Sequence, residues 1–182
     1  MVTHYIHRGL AKRSFKENTL PAFKYSFKKK YGIETDLQVT KDNQLICFHD
    51  FNLKRRFNLN KNVKDINYSN LKKISKKRKA TVPLLKDLLK IAKNKYPLLL
   101  EIKPLLSKIS LLNLIKLIKK TKKYGIISFK EKNLINLYKI NKKLPLGLLF
   151  LSTSSFKNIK MKSKKKYVKF LVLEKKFLSN TN

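Results

Sequence analysis

At 182 residues, with 45 Lys and Arg against ten Asp and Glu and a formal charge of +35, the chain is long enough for one domain with a hydrophobic core and too short for two. Its one cysteine excludes an internal disulfide framework, and no apolar run reaches the ~20 residues of a membrane-spanning helix, so the composition points to a soluble, cytoplasmic protein. The lysines occur in every segment rather than in one stripe, which reads as compositional drift along the whole chain; such a field draws anions inward and adds weak affinity for acidic lipid without marking a specific nucleic-acid site.

A strand is expected at residues 3–7, so close to the start that no room is left for a charged leader with an apolar core and cleavage site. Thr19 then caps a helix with Pro21 in its first turn, and Leu20, Phe23, Phe27 and Tyr31 recur at helical spacing to form its buried face. Strands follow at 33–39 and 45–49. The link between them is too short for a helix, so a hairpin is possible; with Asp42 and Asn43 as a two-residue turn, Asp36 would stand opposite His49. Residues 53–81 are polar and weakly periodic and read as an insertion in a single domain, 1–182, with Ser69 capping a short helix through Leu71 and Ile74.

Pro83 precedes the next helix, whose stripe is Leu84, Leu85, Leu88, Leu89 and Ala92, a pattern of core packing. Strand 98–103, helix 109–122, strand 124–129, helix 131–142 and strand 146–150 then alternate. The lysine-rich stretch 157–166 is a connection or a poor helix, and 168–173 is the seventh strand. This alternation predicts an α/β fold with a largely parallel sheet.

In a chain saturated with lysine, the ten remaining carboxylates are the informative residues. Glu34 and Asp36 lie two apart in a strand and project from one face, and Glu101 and Lys103 repeat that spacing at the end of an apolar run. His7 and Arg8 end the first strand, and His49 and Asp50 the third. Ionisable residues therefore close four successive strands, and the strand ends of a barrel converge on one face. Two imidazoles, three carboxylates, a guanidinium and an ammonium suit metal-assisted chemistry on a phosphodiester. Carboxylate oxygens alone suit Mg²⁺ or Ca²⁺ and not zinc. Asp42 reads as turn chemistry, His4 as structural, and Asp65, Asp87, Glu131 and Glu174 as helix or surface residues.

The segments His7-Arg8-Gly9, Glu17-Asn18-Thr19, Glu34-x-Asp36, His49-Asp50 and Glu101-Ile102-Lys103 follow the order and spacing of the glycerophosphodiester phosphodiesterases, and the chain resembles that family from about His4 to Phe150. Each motif alone is weak; all five in order are specific. The resemblance implies a TIM-type (β/α) barrel, here incomplete, with about seven strands and the eighth missing. It also implies hydrolysis of glycerophosphodiesters to glycerol 3-phosphate and an alcohol. In that scheme Glu34, Asp36 and Glu101 hold Mg²⁺ or Ca²⁺, His7 and His49 are acid and base in undecided order, Arg8, Lys103 and Asn18 take the phosphate, and Glu17 and Asp50 support them. Glu17 and Asn18 would orient Arg8 or the substrate, and since they precede a helix they could serve partly as caps, while Asp50 could equally be only a turn residue. The family usually has Asp or Pro where this chain has Lys54 and Lys16. Two other readings stay open: a truncated barrel that cannot close and is inactive, and a basic protein that binds nucleic acid without hydrolysing it.

Overall fold

The alternation of short apolar runs with amphipathic ones produces a curled sheet backed by helices in the computed structural model, which describes residues 4–176. Six strands are parallel neighbours in the order β1 (Tyr5–His7), β2 (Gly32–Val39), β4 (Leu98–Ile102), β5 (Tyr124–Ser128), β6 (Leu146–Phe150) and β7 (Phe170–Leu173). The remaining strand, β3 (Leu45–Cys47), pairs antiparallel with β2. All seven predicted strands form, with six as staves and one as a hairpin return; Thr3, expected in the first, lies outside the described residues. Among the described residues β1 and β7 do not pair with each other, so the architecture is an incomplete TIM-type barrel.

Helices α1 (Leu20–Lys28), α4 (Leu85–Ala92), α5 (Lys108–Ile118) and α6 (Glu131–Ile140) link the staves and bury one stripe each. Phe23, Phe27, Leu85, Leu88, Leu111, Leu114, Leu134 and Leu137 meet Ile33, Leu37, Leu98, Leu100, Ile126, Leu146 and Leu148 in one core. Thr19 caps α1 as expected, its hydroxyl accepting from the Ala22 N–H. Tyr31 departs from expectation: the helix stops at Lys28, Lys30 takes φ 63°, and the Tyr31 N–H closes back on the Ser26 carbonyl at 3.1 Å, leaving Tyr31 37% exposed.

Residues 53–81 contain α2 (Lys54–Phe57), a single 3-10 turn at Val63–Asp65 and α3 (Tyr68–Lys77). The N-cap of α3 is Asn67, not Ser69, which falls inside the first turn. Leu53, Phe57, Val63, Ile66, Leu71 and Val82 close over Ile46 and Phe48 as a second apolar cluster. α2 and the 3-10 turn each bury a single apolar residue, and only α3 carries a short run, Tyr68, Leu71 and Ile74, so little period develops across the segment. Asp87 accepts from the Leu84 N–H at 3.3 Å to start α4, and the lysine-rich stretch forms α7 (Phe156–Ser163). Among the described residues no helix is long and apolar enough to cross a membrane.

On the inner face, Leu99 stands beside Gly125, and Gly147 beside Phe170. A Cβ on Gly147 would lie 2.4 Å from the Phe170 ring, so that ring can occupy the interior only over glycine.

Candidate active site

β2 overruns its neighbours, and that overrun builds the site. On one edge of β2, β1 pairs as far as Glu34; beyond it β3 takes over the same edge, folding back from the hairpin to the rim. The hairpin register differs by one residue from the two-residue turn. Its loop has three residues, Lys41 to Asn43, because Asn43 adopts φ 55° and its N–H closes on the Thr40 carbonyl at 2.9 Å. Asp42 serves as the expected turn residue, accepting from the Thr40 hydroxyl at 2.6 Å. Asp36 consequently faces Phe48, whose N–H donates to its carbonyl at 2.9 Å, and His49 falls past the strand end, tied by its own carbonyl to Gln38 Nε2 at 3.1 Å.

Parallel register then sets the acids. Glu34 is opposite His7 and Asp36 opposite Glu101, which brings one oxygen from each of Glu34, Asp36 and Glu101 within 4.8 Å of the others. All three side chains are buried. Burial first, then the charges of Asp36 and Glu101, push the Glu34 carboxyl up to about 8. Arg8 Nε at 3.0 Å from Asp36 and Lys103 Nζ at 2.9 Å from Glu101 and 3.7 Å from Asp36 offset only part of this charge. Both Glu34 oxygens and Asp36 Oδ1 are buried with no hydrogen-bond donor, and Glu101 Oε1 has only the Lys103 ammonium beside it. Buried carboxylate oxygens left unsatisfied and converging on one point call for a hard cation, and this all-oxygen set fits Mg²⁺ or Ca²⁺.

This arrangement has a pH signature. With no ion bound, folded Glu34 keeps a proton that the unfolded chain releases above about pH 4.5. The resulting stability is complete below that pH and is lost as pH rises through about 8. We expect the melting temperature of chelated protein to fall between roughly pH 5 and 8.5, and Mg²⁺ or Ca²⁺ to flatten that slope by replacing the proton. Calorimetry with and without chelator checks this, and identical slopes would place any ion elsewhere.

Of the two imidazoles, His7 lies against the acids, and His49 is near enough for its charge to act on His7. His7 Nε2 is 3.8 Å from Glu34, and partial burial, followed by the neighbouring Arg8 charge, holds its pKa below the ordinary imidazole value, so it is neutral at pH 7. His49 Nδ1 is 2.7 Å from Asp50. Burial raises the Asp50 carboxyl, but hydrogen bonds from Arg55 and His49 outweigh it and keep Asp50 ionised. An ionised carboxylate only accepts, so Nδ1 carries the hydrogen and Nε2 is the free nitrogen.

A chain of alternating charge holds these groups. Arg55 donates to Asp50 at 2.6 Å and to Glu17 at 3.0 Å, and Glu17 accepts from Arg8 at 3.3 Å. Burial pushes the Glu17 carboxyl up, while Arg55 and Arg8 hold it below its usual range. Arg8 itself takes φ 57°, a left-handed turn that aims its guanidinium back at Asp36. Asn18, expected on the phosphate, is instead fully buried: it donates to Asp36 at 3.1 Å and accepts from Thr35 at 2.7 Å, so it orients a carboxylate. Cys47 is buried and its thiol pushed up to about 12, which leaves it inert. His4 is exposed, its ring edge-on to Tyr31 and its carbonyl accepting from the Gly32 N–H at 2.8 Å.

Arg55 and Gln38 were not singled out in the sequence. Their signals were present: the chain has only five arginines, and Gln38 continues the face of Glu34 and Asp36.

Residues 7–179 match the model of the glycerophosphoryl diester phosphodiesterase family. The chain belongs to this family. Within it, a glycerophosphodiester phosphodiesterase of Bacillus altitudinis is 35% identical over 99 residues, which are 50% of this chain and 40% of that protein. The human lysophospholipase D GDPD1 is 41% identical over 69 residues, 37% of this chain and 22% of that one. The matched stretches thus span less than half of these family members. An Oleispira antarctica phosphodiesterase solved with sn-glycerol-3-phosphate superimposes with a TM-score of 0.80 at 18% identity, covering 94% of this chain and 74% of that one; the two share the fold.

Proposed function

We propose that this chain hydrolyses glycerophosphodiesters to glycerol 3-phosphate and an alcohol, with Mg²⁺ or Ca²⁺ held by Glu34, Asp36 and Glu101. The observation that carries the reading is the convergence of three buried, under-satisfied carboxylates beside His7, with His49 near enough for its charge to act on that imidazole. The name of the Bacillus relative and the glycerol phosphate held by the Oleispira neighbour support the substrate class. A bound ion would neutralise charge on a phosphoryl oxygen.

The chain's own groups do the rest. Arg8 is held by Asp36 and Glu17 and offers its remaining guanidinium edge to the phosphate, while Lys103 adds a point charge. Neutral His7 takes the proton of the attacking hydroxyl, either from water directly or from the substrate's own glycerol, in which case water opens the resulting cyclic phosphate in a second displacement to give glycerol 3-phosphate. As the new P–O bond forms, the bond to the alcohol breaks, and His49, entering this step as the imidazolium with a hydrogen on each nitrogen, delivers the Nε2 proton to the departing oxygen and is left neutral with Nδ1–H on Asp50.

Purified protein should release glycerol 3-phosphate from glycerophosphocholine, stop when chelator is added, and resume with Mg²⁺ or Ca²⁺. Full turnover in chelator, or none with either ion, would sink the reading.

A further inference from the structure

Arginine is rare here: Arg8, Arg13, Arg55, Arg56 and Arg78 are the five among 45 basic residues. Where drift has made lysine the default cation, arginine persists where its fork of donors is used. Arg8 and Arg55 belong to the chain of charges just described. Arg55, Arg56 and Arg78, with Lys12, Lys16 and Glu17, line a cleft of about 560 Å³ that includes the Glu17–Arg55 pair and none of the three clustered carboxylates.

That cleft has five cations against one carboxylate, and Glu17 is already committed to Arg8 and Arg55. Arg56 is held in place: its guanidinium lies 5.6 Å over Phe48 and 5.8 Å over Phe57, and Nη2 donates to the Glu17 carbonyl at 2.9 Å. Its Nε is buried without a partner. Among the described residues Lys16 and Arg78 form no ion pair. Five cations lining one cleft against a single committed carboxylate, two of them, Arg55 and Arg56, held in place, favour an anion there.

We propose that this cleft binds a second anionic group on the alcohol side of the diester, so that the preferred substrates are glycerophosphodiesters whose leaving alcohol carries a phosphate monoester. The inference rests on the phosphodiesterase reading above. Glu17 lines the cleft and pairs with Arg8, which also reaches Asp36, so two successive ion pairs connect the cleft to the carboxylate cluster; the phosphorylated polyol must reach from one to the other.

The test compares kcat/KM for glycerophosphoinositol and glycerophosphoinositol 4-phosphate. Wild type should favour the phosphorylated diester by roughly tenfold or more, and Arg78→Gln or Lys16→Gln should cut that ratio by about as much, mainly through KM, with Arg78→Lys restoring part of it. A ratio near one in all forms overturns the proposal. So does inorganic phosphate that binds as tightly as the phosphorylated diester and competes equally against both substrates, which would make the cleft a free-phosphate site. If neither diester is hydrolysed, the phosphodiesterase reading fails on its own. Titration calorimetry then decides the cleft: binding of the phosphorylated diester that is lost in Arg78→Gln supports it, and binding that persists overturns it.

Discussion

Asp36→Asn should reduce turnover by roughly 10³-fold or more while leaving the protein folded. Asp36 is fully buried and faces Arg8, Lys103 and the Asn18 amide at once. An asparagine there places one NH₂ group among three donors, removes the counter-charge of two cations, and deletes one of three ion ligands. Chelated protein should nevertheless melt close to wild type. Losing the attraction to Arg8 and Lys103 is partly offset by relief of Glu34, for which the Asp36 charge is the second largest cause of the raised pKa. The contrast between the two measurements is the signature: the rise in melting temperature on adding Mg²⁺ or Ca²⁺ should vanish along with the activity. A variant that keeps that rise and a tenth of the activity would remove Asp36 from the site.

His49→Ala should cost roughly 10²–10⁴-fold in kcat with ion binding intact, because His49 handles a proton and contacts none of the three carboxylates. Its loss leaves Asp50 still paired to Arg55, so the charge chain survives and the fold is undisturbed. Free imidazole should restore part of the rate, since the vacated space lies beside a carboxylate already set to receive an N–H. Unchanged kcat, or loss of the ion-induced thermal shift, would show that the residue acts structurally.

Much of this was legible in one dimension. Alternation of apolar runs predicts the strands and helices, because burial against one layer imposes a period on each element. The carboxylates stand out because lysine has taken the other polar positions, and the two-residue spacing of Glu34 and Asp36 places both on one face wherever the strand lies. His7, Arg8, His49 and Lys103 all come to the same rim, as strand-end residues of a barrel should.

Other features depend on contacts between distant segments. Tyr31 continues the spacing of Phe23 and Phe27, yet a left-handed turn at Lys30 carries it out of the helix. Asn18 has the character of a phosphate ligand but is buried by the turn at Arg8, and so serves Asp36. Arg55 has no local pattern to mark it and acquires its role only when α2 is brought against the β1–α1 loop.

By itself, then, the order of residues determined which side chains would share a strand face and which strand ends would carry charge, since both follow from the two-residue repeat of extended backbone. Only the tertiary structure decided that Asp36 lies beside Glu101, that His49 sits one position past the residue opposite Asp36, and that Arg55 joins Asp50 to Glu17. Parallel strands are aligned by the packing of the helices between them, and a hairpin by one loop residue with positive φ; neither register is encoded in the spacing along a single strand.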